Sequence, residues 1–401
     1  MTQTRPSDTY SPMYFLASLG AGGLSVTFFM WLMFWVPHPG RTVPVFEDIM
    51  AAFQSGTIVQ QAMIIGAWIG IAGMVFLNLK SLIWNLNHYA KWKRTDAYVQ
   101  FCKTNAQSQL MALPLALAMS VNGLFIAGLV FVPGLWGVVE TLFPLAAITF
   151  VAIGVLAFRL FGHFIARIKV EGGFNFAANN SFGQILPAFA FAMIGVGLAA
   201  PAAMSANSTV VGFSVVLSTF FFITSVAIAG IALILGMRSM LDHGTNAETA
   251  PTLMILIPLM TILGILMLRQ NHGLGTQFES HTQDAETFLM LTKLVAVQVL
   301  FGMFGWLILS RHNYGKRFIW GSETSVMSYA LVCPGVGFAV LMQFFIHKGL
   351  LAVGLVDKFS TGYWALVAIA LISQFAMVAL VLTLNRRHFG APRRAVAVPA
   401  A

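Results

Sequence analysis

The chain predicts an all-α integral membrane protein with ten transmembrane helices, and three observations carry that prediction. Of its 401 residues, 58% are hydrophobic and only 9% are charged, where an ordinary soluble domain has roughly 25% charged residues. The apolar residues gather into ten continuous runs, most of them near the roughly 20 residues a helix needs to cross a hydrocarbon core. Four of the five odd-numbered runs carry a proline at a similar interval, the kind of internal similarity that points to repeated units.

In order, the runs are Pro12–Val36, Val59–Trp84, Leu110–Val132, Val138–Phe164, Ile185–Ser205, Val210–Met237, Leu253–Leu268, Phe288–Ser310, Thr324–Ile346 and Tyr363–Leu384. Helices are favoured because the backbone must satisfy its own hydrogen bonds in lipid, and because the runs lack the alternation of a membrane β-barrel. The seventh is short of a full span and must borrow from Pro251 and Arg269 at its ends or sit in locally thinned bilayer. The longest polar gaps, Asn85–Ser108 and Arg269–Glu286, are loop-sized. Residues 1–401 therefore read as one transmembrane domain, with a short start at 1–11, spans over 12–384 and a basic tail at 385–401.

Charge orients the chain. Lys91, Lys93, Arg94 and Lys103 follow the second run, Arg167 and Lys169 the fourth, and Arg311, Lys316 and Arg317 the eighth, while Arg386, Arg387, Arg393 and Arg394 follow the tenth. Arg41, Arg269, Lys348 and Lys358 fall on the other side, among Glu47, Asp48, Glu140, Glu279, Asp284, Glu286 and Asp357. The positive-inside rule then places both termini in the cytoplasm, as an even number of spans requires, and a bacterial inner membrane is the expected location. The net charge of +9 is a topology signal and not a sign of nucleic-acid binding. The first run is about 25 residues long behind a polar start with a single Arg5, so it reads as a retained span and not a cleaved signal. Cys102 in a cytoplasmic loop and Cys333 in the membrane do not form a disulfide framework.

Proline sits at Pro114, Pro187, Pro258 and Pro334, 73, 71 and 76 residues apart. The stretch FLASLGAGGLSV of the first run has no proline but gathers Gly20, Gly22 and Gly23, and Pro144 lies near the outer end of the fourth run. A unit of about 70 residues, one helical hairpin, therefore recurs five times. Proline removes a backbone donor and kinks a helix, and the freed carbonyls are tolerated in a bilayer only inside protein or beside a water-filled cavity. Kinked odd helices then line a central pore, and regular even helices form an outer ring. Intramembrane Pro and Gly also serve close helix packing by themselves, and four prolines in register on odd runs favour the repeat.

Ten spans, breaks on odd helices, a glycine-rich first run with FLASLG and an aromatic-then-proline ninth run, SYALVCPGVGF, together make the chain resemble the tellurite-resistance/dicarboxylate transporter family. That family includes slow anion channels of guard cells and yeast malate and sulfite transporters. Over roughly 12–384, the resemblance implies five hairpins around a pore in each protomer, commonly in a homo-trimer. It also implies a phenylalanine plug just before the ninth-span proline, where this chain has Cys333. Phe338 one turn later, or Phe189, Phe191, Phe125 and Phe28 on other odd runs, would have to supply the constriction.

No Asp or Glu lies deep in an odd run, which argues against a carboxylate proton relay. Lys80, Arg159 and Lys293 are read as snorkelling from even helices. The polar lining is uncharged: Ser18, Ser25 and Thr27, Ser120 and Asn122, Thr261, then Thr324, Ser325, Ser328 and Tyr329. Hydroxyl and amide donors without a carboxylate suit anions, and basic cytoplasmic loops would concentrate them at that entrance. The expected function is an anion channel or secondary transporter for small anions, with small organic acids and sulfur or halogen oxyanions as the range the resemblance implies. No cofactor is expected. The competing class is the membrane anchor of a quinone-linked redox complex, which needs paired histidines at matched depth; His88, His163, His312 and His347 lie near span ends. A nucleophile–base pair for an intramembrane enzyme is missing from the spans.

Overall fold

The computed structural model describes residues 5–280 and 282–390; Arg393 and Arg394 of the basic tail lie outside the described residues. Every regular element among the described residues is helical. Ten helices are long and apolar enough to cross a membrane: Pro12–Trp35, Ile58–Trp92, Asn105–Phe131, Leu135–Val170, Gly183–Met204, Ser208–His243, Ala250–Gln277, Asp284–Arg311, Val326–Leu350 and Thr361–Phe389. A short helix, Phe46–Ser55, precedes the second span. Its start is capped by the Asp48 carboxylate, which accepts from the Val45 N–H at 3.1 Å and pairs with Arg41.

The odd and even spans are built differently. Each odd span opens with a 3₁₀ turn, at Pro12–Tyr14, Asn105–Met111, Gly183–Ile185, Ala250–Met254 and Val326–Leu331, and then passes into α-helix. Pro114, Pro258 and Pro334 are the third residue of the α part and Pro187 is the second. The prolines read from sequence as breaks in the odd helices thus stand where the bonding pattern changes from 3₁₀ to α. The first α turn has few acceptors for its N–H groups, so a residue without one costs little there. The even spans are uninterrupted α-helices of 28 to 36 residues, and Pro144 sits inside the fourth.

Burial follows the same division. In the most apolar window of each odd span 89, 56, 94, 72 and 67% of residues are buried, against 39, 28, 22, 17 and 22% in the even spans. The first span packs on the third, the third on the fifth, the fifth on the seventh, the seventh on the ninth and the ninth back on the first. Each even span packs on the odd span before it.

Polar side chains on the even spans reach inward to main-chain carbonyls of their odd partners. Asn78 Nδ2 donates to Ser18 O, Ser225 Oγ to Ala188 O and Gln298 Nε2 to Ile257 O, each at 2.8 Å, and Ser373 Oγ donates to Gly335 O at 2.9 Å. The last three acceptors are sequence neighbours of Pro187, Pro258 and Pro334. Such interhelical bonds contribute about 0.6 kcal/mol on average within a membrane.

The glycines of the first span do not loosen it, for Phe15–Trp35 is one continuous helix. A Cβ at Gly20 or Gly23 would stand 2.8 Å from Val332 or Val336 of the ninth span, and one at Gly22 would stand 2.7 Å from Met119 and 2.9 Å from Asn78. Their role is close approach between helices.

Candidate functional site

Two cavities enter the circuit of odd spans from opposite ends. The larger, about 1410 Å³, opens at the C-terminal ends of the odd spans and is walled by all five of them, through residues such as Gly23, Phe125, Met193, Ile262 and Val340. The smaller, about 540 Å³, opens at their N-terminal ends among the 3₁₀ turns. Three side chains line both: Phe189, Pro258 and Cys333. They come from the fifth, seventh and ninth spans and stand where the two spaces adjoin.

The α-helical start of each span positions this junction. Pro258 and Cys333 lie in the first α turn of their spans, and Phe189 two residues after Pro187. Phe189 is buried and so is the free thiol of Cys333. The seventh and ninth spans touch closely here: a Cβ on Gly337 would stand 2.7 Å from Pro258 Cα. Thr261 Oγ1 donates to Gly337 O at 2.7 Å and accepts from Gln298 Nε2 at 2.7 Å, so one hydroxyl ties three spans together beside the junction.

The site candidates divide into two groups. Gly20, Gly23, Asn122, Pro258 and Cys333 line the larger cavity, and Pro258, Cys333 and Pro334 the smaller. Gly22, Ser25, Pro114, Pro187, Phe191, Ser328 and Phe338 line neither. Phe191 turns outward into a ring cluster, 4.5 Å from Phe158 and 5.9 Å from Phe161 between centroids. Phe338 packs beside Met342, Ile346 and Val367. Ser25 Oγ is spent on the Gly22 carbonyl at 2.6 Å. Ser328 shares a 3.0 Å hydrogen bond with the Tyr314 hydroxyl, and burial pushes that phenol up to about 12. Of the alternative phenylalanines, Phe189 stands at the junction and Phe125 farther along the larger cavity.

The walls differ in charge. The smaller cavity is lined by amides, including Asn105, Asn175, Asn179, Asn180 and Asn246, with Lys103 as its one charged side chain among the described residues. Asn179 Nδ2 is buried there without a hydrogen-bond partner among the described residues. The larger cavity has Arg41, Arg269, Lys348 and Lys358 against a single carboxylate among the described residues, Asp284. Arg41 is neutralised by Asp48. Lys358 Nζ donates to Phe34 O at 3.2 Å. Arg269 Nη1 donates to Val196 O at 2.7 Å, and no carboxylate pairs with this guanidinium among the described residues.

Arg269 was read from sequence as the boundary of the seventh run and as a charge on the side opposite the basic loops. The helix instead continues to Gln277, and Arg269, His272 and Thr276 all line the larger cavity. Their spacing of three and four residues places them on one helical face. That spacing, beginning where hydropathy falls, was the available signal. The basic wall is thus at the end of the odd spans opposite the basic loops.

Three of the histidines are engaged by neighbouring groups. His347 sits between Gln343 O at 2.8 Å and the Tyr363 hydroxyl at 3.0 Å, and His388 Nδ1 is 3.0 Å from the Tyr14 hydroxyl. His88 bonds Trp84 O of its own helix at 2.8 Å. Compared with known proteins, the chain matches no family model, no curated protein and no solved structure.

Proposed function

We propose that this protein is an anion channel or secondary transporter, moving small anions through a pore enclosed by its five odd spans, with the even spans as the lipid-facing ring of five helical hairpins. The observation that carries the reading is the pair of cavities from opposite ends, with Phe189, Pro258 and Cys333 lining both. Support for an anion comes from the walls: unpaired cations on one side, amide donors on the other, and one carboxylate between them. In such a pathway Phe189 supplies the aromatic constriction, and Cys333 leaves it wider than two facing rings would.

The reading includes membership in the tellurite-resistance/dicarboxylate transporter type, a homo-trimer with a pore in each protomer, and an inner-membrane location with both termini cytoplasmic. On that orientation the amide-lined cavity faces the cytoplasm and the basic one faces outward. The test is uptake in proteoliposomes across chloride, nitrate, sulfite, thiosulfate and dicarboxylates. Uptake of at least one anion well above protein-free vesicles is the expected result; leak-level uptake of all of them overturns the reading.

A further inference from the structure

The even spans carry a register of their own. Asn78, Ser225, Gln298 and Ser373 reach inward to carbonyls of the odd spans, and Gly154, packed on Phe221, holds the corresponding place in the fourth span. In chain order these positions lie 76, 71, 73 and 75 residues apart, and thirteen residues after each comes a cation: Lys91, Arg167, Arg238, Arg311 and Arg386. Thirteen residues cover about 20 Å and about 3.6 turns of helix, so the five cations stand at one distance from the inward contacts and on another face. Arg167 folds onto a loop, bonding Gln107 Oε1, Lys103 O and Thr104 O. The other four are exposed. Lys91, Arg311 and Arg386 have no carboxylate partner among the described residues, and Arg238 has only an exposed contact of 3.9 Å with Asp242. In the sixth, eighth and tenth spans the residue four places earlier is large, apolar and exposed: Ile234, Leu307 and Leu382.

We propose that the sixth, eighth and tenth spans each bind one anionic phospholipid at this end of the molecule, its phosphate on Arg238, Arg311 or Arg386 and an acyl chain over Ile234, Leu307 or Leu382. The sites are independent of what passes through the centre. A cation met only by water, or by free phosphate, has no use for an exposed apolar residue one turn away, whereas a lipid brings an anionic head and a tail together. All three positions hold arginine, whose planar fork fits two oxygens of a phosphate group. These three spans are also the least buried of the ten, so lipid reaches them. Trp306, exposed beside Leu307, is of the type enriched at the membrane–water boundary. Cations at a matched distance along lipid-facing helices meet the headgroup layer of one leaflet together, where an anionic surface attracts each of them.

The experiment counts lipids on the protein. Full-length protein in nanodiscs of equal phosphatidylglycerol and phosphatidylcholine is examined by native mass spectrometry. Phosphatidylglycerol is expected to outnumber phosphatidylcholine about five-fold among the retained lipids, the preference one cation gives at an anionic surface. Arg238→Gln, Arg311→Gln and Arg386→Gln are each expected to lose one retained phosphatidylglycerol per chain. Lys293→Gln, which removes an exposed cation of the eighth span outside the register, is expected to lose none. In detergent, phosphatidylglycerol is expected to raise the unfolding midpoint, and inorganic phosphate at matched ionic strength is not. Should an arginine variant fail to fold, phosphatidylglycerol with a photoreactive acyl chain, in wild-type nanodiscs, is expected to label the peptides containing Ile234, Leu307 and Leu382 more than a phosphatidylcholine probe does. Equal retention of the two lipids, a wild-type lipid count in the arginine variants or an equal loss in Lys293→Gln would each overturn the proposal. So would stabilisation by inorganic phosphate equal to that by phosphatidylglycerol, or equal labelling by both probes.

Discussion

The two cavities share three wall residues and little else. One is ringed by the 3₁₀ turns and loops at the N-terminal ends of the odd spans and carries many amides with one cation, Lys103; the other is walled by the α-helical bodies of the same spans and carries three cations without a carboxylate partner among the described residues. An amide offers donors and acceptors alike and leaves its space neutral, whereas an unpaired guanidinium or ammonium sets a potential that low-dielectric walls focus. The difference teaches that the two ends of this circuit present different chemistry, one basic and one rich in amides.

Reversing the charge of the larger cavity breaks that comparison most strongly. Lys348→Glu with Lys358→Glu is expected to lower initial anion uptake at low ionic strength about ten-fold or more, in line with the size of electrostatic steering effects. Lys103→Glu on the smaller cavity is expected to change the same rate far less. Raising the salt should shrink the first effect, since screening acts within about 8 Å at 0.15 M. Equal effects from both reversals would erase the distinction between the cavities.

A smaller effect is expected at the junction between them. Thr261→Val removes the donor to Gly337 O and the acceptor for Gln298 Nε2, at a cost of about 1–2 kcal/mol, seen as a lower midpoint of thermal unfolding in detergent. Ser373→Ala removes a single bond to Gly335 O and should cost less than Thr261→Val. If the order is reversed, the three-span tie beside Pro258 is not what holds the junction.

The smallest effect lies outside the spans. Arg317 makes two 2.9 Å bonds to the Glu323 carboxylate and holds it below the usual carboxylate range. A lowered folded-state value contributes stability at pH above the ordinary carboxylate pKa, and this is lost as pH falls through the lowered value. Because the pair is exposed, Glu323→Gln should shift unfolding only slightly at pH 7 and not at all near pH 2.

Much of the fold was legible in the sequence. The ten spans follow from hydropathy, since lipid rewards continuous apolar helices and little else. The spacing of Pro114, Pro187, Pro258 and Pro334 marked the odd spans as the special set, and those spans are the buried ones. What proline does there was not legible, because a proline at a change from 3₁₀ to α geometry and a proline at a mid-helix kink look alike in a string of residues. The candidate site was legible in part. Cys333 and Pro258 fell where the two cavities meet, but Phe189 could not be told from Phe191, two residues away on the same helix, because which side of that helix faces the centre is set by packing of the neighbouring spans. Arg269 was hidden for a related reason. A polar turn at the end of an apolar run reads as loop unless something supplies a cavity for it to face, and that cavity is made by five segments far apart in the chain.

The central claim, that Phe189 and Cys333 form the partition on one conduction path, is tested most directly by anion flux in proteoliposomes of wild type, Phe189→Ala and Cys333→Phe. Each variant is matched for folded protein by thermal unfolding. The account predicts faster flux than wild type when the Phe189 ring is removed and slower flux when a ring is added at Cys333, each by about an order of magnitude. Three equal fluxes from equally folded proteins would contradict it.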